Sequence, residues 1–255
     1  MKHIGSRQKF VPYVDSYLNS ISSKLRVLSL KIHDNPELNF EEYIAHKTLT
    51  SFLERQKGWK VIPSAYGLET AFVAILDSGR KGPVVSYNAE YGKSIVLVLI
   101  QKHDWRGETL DALPGIGHAC GHNLIAIASV GAGLAVAAAI TELSLPGKVI
   151  IYGTPAEEGG GGKIKLLDAG AYSDHKVDIN LTSHPGPRRD SVLGKTTAYS
   201  NFKVEYFGKE AHAAAAPWEG INALDALSKF WLRAKLCFCK VWDTGLIFAP
   251  NSNWL

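Results

Sequence analysis

The stretch Leu113-Pro114-Gly115-Ile116-Gly117-His118-Ala119-Cys120-Gly121-His122-Asn123 constrains this chain more than any other. It sets a thiol and an imidazole two residues apart, directly before the Ala- and Gly-rich run 124–140, the longest apolar run in the sequence. That run is near the lower length limit for crossing a bilayer, and its small residues suit a helix packed inside a soluble fold, so no membrane partner is expected. A Cys-x-His pair at the mouth of such a helix invites a metal ion, and the fold must then bring further ligands to the helix start. Cysteine is otherwise sparse, with Cys237 and Cys239 making three in all. An odd count in 255 residues argues against a disulfide framework, and the opening Met1-Lys2-His3-Ile4-Gly5 lacks the apolar core of a signal peptide. Both features predict a reducing, cytoplasmic setting.

The rest of the chain supplies an α/β frame for that loop. Apolar residues at Val14, Tyr17, Leu18, Ile21, Leu25, Leu28 and Ile32 follow a helical period over 14–32, and Asn35-Pro36 stops it. A second helix is predicted over about 40–55, with Phe40, Tyr43, Ile44, Phe52 and Leu53 as its stripe. Three runs, 59–62, 70–76 and 84–88, are β-branched and nearly continuously apolar, which predicts buried strands. After the Ala-rich helix come a strand over 147–153, a helix over 162–169 and a strand over 177–182. Strands alternating with helices predict an α/β fold with a mixed, largely parallel sheet flanked by helices. From about Gly194 the pattern changes to a β-rich segment over 196–207 and the start of a helix over 217–227, which marks a smaller α+β domain. Residues 230–255 are aromatic without helical or strand period, unlike the end of a folded domain. A net charge of +4, spread along the chain with only short pairs such as Arg188-Arg189, excludes the basic stripe of a nucleic-acid binder.

Loops at the carboxyl ends of parallel strands are where α/β sheets bind ligands, and three such loops carry metal-type residues. The first holds Cys120 and His122, the second reads Thr154-Pro155-Ala156-Glu157-Glu158-Gly159-Gly160, and the third reads Ser183-His184-Pro185-Gly186-Pro187. A thiolate, two imidazoles and a carboxylate suit zinc or another first-row divalent ion. The paired glutamates divide the labour of hydrolysis, one binding metal while its neighbour takes a proton from the attacking water. Each residue also has a plainer use. Cys120 suits a small buried hydrophobe. Glu157 and Glu158 suit the positive end of the following helix. His184 suits a loop before proline, His212 suits a surface, and His118 is taken as structural. The Gly159 to Gly162 run lacks the Lys-Ser/Thr pair of a phosphate loop and is read as flexible backbone beside the metal.

Five segments, in order, carry a resemblance to a known family. They are Asn35-Pro36-Glu37-Leu38-Asn39-Phe40-Glu41-Glu42, residues 112–123, residues 154–159, His184-Pro185, and Gly208-Lys209-Glu210-Ala211-His212-Ala213-Ala214-Ala215-Ala216-Pro217-Trp218. Together they resemble the peptidase M20 family in its amidohydrolase branch, which includes the aminoacylases. The resemblance implies a zinc-exopeptidase-like catalytic domain over 10–193, part of a lid or dimerisation domain over 194–227, and a tail without likeness over 228–255. It implies two divalent metal ions, zinc or manganese, held by Cys120, His122, Glu158 and His184, with Cys120 bridging. Glu157 falls on the general base and His212 on the lid histidine that stabilises the tetrahedral intermediate, while Asp111 and Glu90 fall on acidic positions that support the ligands. The implied reaction is cleavage of the amide bond of an N-acyl amino acid or small peptide, with a homodimer formed through the lid. The rival reading is a non-catalytic metal- or peptide-binding protein of the same fold.

Two segments depart from that family. Its Asn-Ala-Glu-Tyr-Asp-Ala-Leu-Pro-Gly run is split here between Tyr91 and Asp111 by an insert, residues 92–110. The insert opens Gly92-Lys93-Ser94, whose codons can contain the splice donor GTAAGT, and excision before Asp111 restores an Asp codon. Ser228-Lys229-Phe230, where the likeness stops, can contain GTAAGT as well. Both breaks therefore read as retained introns translated in frame, with Ile95-Val96-Leu97-Val98-Leu99-Ile100 as a β-hairpin arm the competing reading. The resemblance also puts the last metal-binding histidine and part of the substrate pocket beyond Leu255, so the chain as given is expected to bind metal weakly and hydrolyse poorly. Genomic and transcript sequencing checks the intron reading: GTAAGT is expected within codons 92–94 and 228–230, and spliced messages that all retain both segments would rule it out.

Overall fold

The computed structural model describes residues 4–92, 117–118, 120–186 and 204–238. The expectations for Asp111, for 93–110, for 196–203 and for the tail from 239 lie outside those residues. The chain forms two units, Met1–Pro187 and Arg188–Leu255.

In the first unit, helix α1 (Ile4–His33) and helix α2 (Tyr43–Glu54) precede strands β1 (Lys60–Pro63), β2 (Phe72–Asp77) and β3 (Val84–Glu90). Helix α3 (His122–Glu142), strand β4 (Lys148–Thr154), helix α4 (Gly162–Asp168), the short helix α5 (Ala171–Asp174) and strand β5 (Ile179–Leu181) follow. The five strands form one sheet in the order β1-β2-β4-β3-β5. Pairings of β3 with β4 and with β5 are parallel, whereas β1 with β2 and β2 with β4 are antiparallel. The sheet is therefore mixed and helix-flanked as expected, with its parallel half confined to β3, β4 and β5.

Alternation along the strands separates two cores. Ala74 and Ile151 face a layer built from α1, α2 and α3, through Leu25, Leu28, Ile32, Leu49, Phe52, Leu53, Ala126, Val130 and Leu134. Val73, Ile150 and Tyr152 face the opposite layer, with Leu166 of α4 and Ala171 of α5. The result is three layers, helix on sheet on helix. Helix α3 is the one described helix long and apolar enough to cross a membrane; here it is packed against α1 on one side and β3 and β4 on the other. A helix covered on two sides has no polar face to keep, which accounts for its Ala- and Gly-rich composition.

Several expected boundaries shift for identifiable reasons. Helix α2 begins at Tyr43 and not near Phe40, because Phe40 adopts a left-handed backbone (φ 64°) and the Glu37 carboxylate accepts the amides of Ile44 (2.7 Å) and Ala45 (2.9 Å) at the helix start. Tyr43 and Ile44, expected on the buried stripe, are exposed. Strand β1, expected to be buried, forms an exposed sheet edge.

In the second unit, the described residues 204–207 form no strand, and Lys209 and Ile221 exchange both backbone hydrogen bonds as an isolated antiparallel bridge. Helix α6 (Ala223–Phe238) then runs through residues expected to lack a period. Leu224, Leu227 and Trp231 recur at helical spacing and are the signal for it.

Ile151 is fully buried at the centre of the sheet, so Ile151→Ala is expected to destabilise the first unit by about 2–5 kcal/mol through lost burial and a residual cavity. Ile164→Ala, at a position 63% exposed, should cost less than about 0.5 kcal/mol. Urea midpoints of the two variants check the contrast.

Candidate metal centre

The parallel register of β3 and β4 pairs Ala89 with Gly153 and Glu90 with Thr154, so both strands end side by side. Glu90 closes β3, and the loop carrying Glu157 and Glu158 leaves β4 at the same edge. Helix α3 starts against that edge at His122, with Cys120 in the preceding turn. The turn needs Gly121, whose φ is 79° and whose Cβ position would lie 2.9 Å from Pro185 Cγ. That close approach brings the loop after β5, with His184, onto the Cys120 turn.

The two imidazoles are oriented alike. His122 Nδ1 donates to the Gly92 carbonyl, and His184 Nδ1 donates to the Pro185 carbonyl at 2.6 Å. Each donation leaves Nε2 as the ring's lone-pair nitrogen, the tautomer a metal-binding histidine requires. His184 Nε2 lies 3.2 Å from Cys120 Sγ. His122 Nε2, on a fully buried side chain, lies 3.4 Å from Glu157, 3.6 Å from Glu158 and 3.8 Å from Glu90.

Those separations form two overlapping groups, Cys120 with His122 and His184, and Glu90 with His122 and Glu157, in each of which the ligand atoms lie within 4.8 Å of one another. His122 Nε2 and both carboxylate oxygens of Glu158 are buried with no hydrogen-bond partner among the described residues. Buried polar atoms are otherwise nearly always paired, so lone pairs facing one another across 3.4–3.6 Å call for a cation between them. The donor set of thiolate, imidazole and carboxylate fits a first-row divalent metal.

Electrostatics agree with that fit. Burial works against a charge on His122, yet the Cys120 thiol, Glu157, the Gly92 carbonyl and Glu158 together push its pKa up to about 10. Surroundings that hold a proton so firmly hold a metal ion in its place for the same reason. Glu157 is shifted the other way: a protonated His122, 3.4 Å away, outweighs burial, and Lys163 and His184 add to it, keeping the carboxylate ionised. The two adjacent glutamates also differ in exposure, Glu157 at 35% and Glu158 at 8%. The buried one suits a ligand and the accessible one suits a base.

Cys120, His122, Glu157, Glu158 and His184 are thus brought together, with Glu90 beside them. His212 belongs to the second unit, where its Nδ1 accepts the amides of Ala214 (3.2 Å) and Ala215 (3.0 Å), which leaves the proton on Nε2. His118 is structural, its Nε2 3.0 Å from the Ile32 carbonyl. The Gly159 to Gly162 run forms a defined turn whose amides return to Ala156 and Glu157, in place of the expected flexible backbone. Lys163 is absent from the sequence-based site: it lies 2.6 Å from Glu90 and 3.9 Å from Glu157, offsetting part of the acidic charge. Its place in the first turn of α4, directly after the glycine run, is the available signal.

A metal-type ligand cluster at the carboxyl ends of parallel strands, in a three-layer α/β unit, defines the class. The chain belongs to peptidase family M20/M25/M40, whose model matches residues 101–229. It is 40% identical over 219 residues to a Xaa-Arg dipeptidase of Mus musculus, a match covering 82% of this chain and 46% of that protein. It is 31% identical over 222 residues to a p-aminobenzoyl-glutamate hydrolase chain of Escherichia coli (strain K12), covering 87% of this chain and 44% of that one. A solved aminohydrolase from methicillin resistant Staphylococcus aureus shares the fold, with a TM-score of 0.52 at 23% identity over 66% of this chain and 41% of that chain. The chain spans about half the length of the relatives it matches.

Cobalt(II) titration checks the cluster. The wild-type chain is expected to show a thiolate-to-cobalt absorption band that Cys120→Ser abolishes, and His122→Ala should weaken binding by at least about 10–100-fold.

Proposed function

We propose that the chain is a metal-dependent hydrolase that cleaves the amide bond of a dipeptide or an N-acyl amino acid, with Glu157 as general base. The observation that carries this reading is the accessible, ionised Glu157 carboxylate set beside the buried, unpartnered His122 Nε2 and Glu158 oxygens. The names of the relatives, a dipeptidase and an acyl-glutamate hydrolase, support the substrate class.

Cys120, His122, Glu158 and His184 would hold two ions, zinc or manganese, with the thiolate favouring zinc. When bound, the metal supplies Lewis-acid polarisation and lowers the pKa of water. Glu157 takes a proton from the attacking water as the new C–O bond forms, then returns it to the amine nitrogen as the C–N bond breaks. The charge of Lys163, 3.9 Å away, favours the ionised form of Glu157 for the first transfer. For His212 we propose the role the family resemblance implies, stabilising the tetrahedral intermediate; within its own unit its Nδ1 accepts two backbone amides, which leaves the proton on Nε2. We further propose a homodimer through the second unit and a cytoplasmic setting, where the Cys120 thiol stays reduced.

The second reading is a metal-binding protein of the same fold without turnover. Assay of the full chain with zinc, manganese or cobalt against Xaa-Arg dipeptides and N-acyl amino acids separates the two. Slow metal-dependent hydrolysis is expected, reduced a further ~10²–10⁴-fold in kcat by Glu157→Gln with metal content retained. A fully metal-loaded chain that cleaves no member of the panel establishes the second reading.

A further inference from the structure

Glu42 stands in the Asn35 to Glu42 segment that the ligand cluster does not use, and its side chain has no contact with solvent. It occupies the position before α2 without capping that helix, since Glu37 accepts the first α2 amides instead. Its carboxylate turns inward. Oε2 accepts the Thr70 hydroxyl at 2.9 Å, and Oε1 accepts the Ala156 amide at 2.8 Å across 114 residues of sequence.

Ala156 is the residue directly before Glu157, fully buried and held at φ 53°. A left-handed alanine is strained and persists only where its surroundings over-determine it. The Glu42 contact is such a determinant, because it fixes the peptide that aims the next two side chains. The same Oε1 fills the place a Cβ would take on Gly92, whose carbonyl receives the His122 Nδ1 proton. One carboxylate oxygen therefore abuts both the loop of the glutamates and the backbone that orients His122. No cation pairs with Glu42 among the described residues. A buried carboxylate without a counter-ion is a poor way to fill core space, so its value lies in the acceptor it places.

We propose that Glu42 is a positioning residue of the metal centre, its buried carboxylate holding the Ala156 amide and abutting Gly92 so that Glu157, Glu158 and His122 converge. The inference rests on the reading of that cluster as a metal centre given above, and it is tested by readouts that do not require hydrolysis.

In the full chain, amide hydrogen exchange at Ala156 and cobalt(II) affinity are measured for Glu42→Leu, Glu42→Asp and Glu42→Gln. Glu42→Leu removes the acceptor, and Glu42→Asp keeps the charge but is one methylene too short to reach the amide. Both should lose Ala156 protection and weaken cobalt binding about 10–100-fold, the range for a residue supporting ligands. Glu42→Gln retains an acceptor oxygen and should restore both. A merely structural role would lower Tm and leave cobalt affinity of the folded protein unchanged. If Glu42→Leu does not fold, Glu42→Asp decides: wild-type exchange and cobalt affinity in that variant overturn the proposal. A chain that fails to bind cobalt at all while Glu42→Asp still releases the Ala156 amide overturns the metal reading and leaves the backbone contact standing.

Discussion

The structure depends first on the parallel pairing of β3 with β4. Parallel register makes both strands end at one edge of the sheet, and every first-unit residue of the cluster is delivered to that edge. Glu90 ends β3, Glu157 and Glu158 follow β4, and the start of α3 lies against both. An antiparallel arrangement of the same strands would send Glu90 and the glutamate loop to opposite edges. The antiparallel strands β1 and β2 complete the sheet and bury its faces but carry none of the cluster residues.

Helix α3 joins that register to the chemistry. Because it is enclosed between α1 and the sheet, its first residue, His122, is buried from the outset. Burial raises the cost of any unsatisfied lone pair, so the surrounding carboxylates act on His122 in a medium that screens them poorly. The opposite shifts of His122 and Glu157 are two sides of one interaction. The loop geometry around the cluster is held from behind, by Glu42 on the Ala156 amide and by Asn39 Nδ2 donating to the Glu158 carbonyl at 3.1 Å. Both residues come from the segment between α1 and α2, far from the cluster in sequence and adjacent to it in space.

Much of this was legible in the chain. Cys120, His122, Glu157, Glu158 and His184 stand out as residue types with metal-binding chemistry placed after strand-like runs, and those runs have clear apolar patterns. Lys163 and Glu42 were not legible, because a lysine in a helical first turn and a glutamate before a helix both have common surface uses. Strand β1 shows the same gap: Trp59, Val61 and Ile62 read as interior residues, yet whether a strand lies at the centre or the edge of a sheet is set by its neighbours, which local period does not report.

By itself, then, the sequence determined the ligand types, the layered α/β frame and the membership of the loops, since these follow from side-chain chemistry and periodicity. Tertiary structure alone decided which glutamate is buried and which is accessible, which ring nitrogen of each histidine is left bare, and which carboxylate supports the site from beneath. Each of those depends on distances between segments as far apart as 114 residues, and such distances exist only once the sheet has closed.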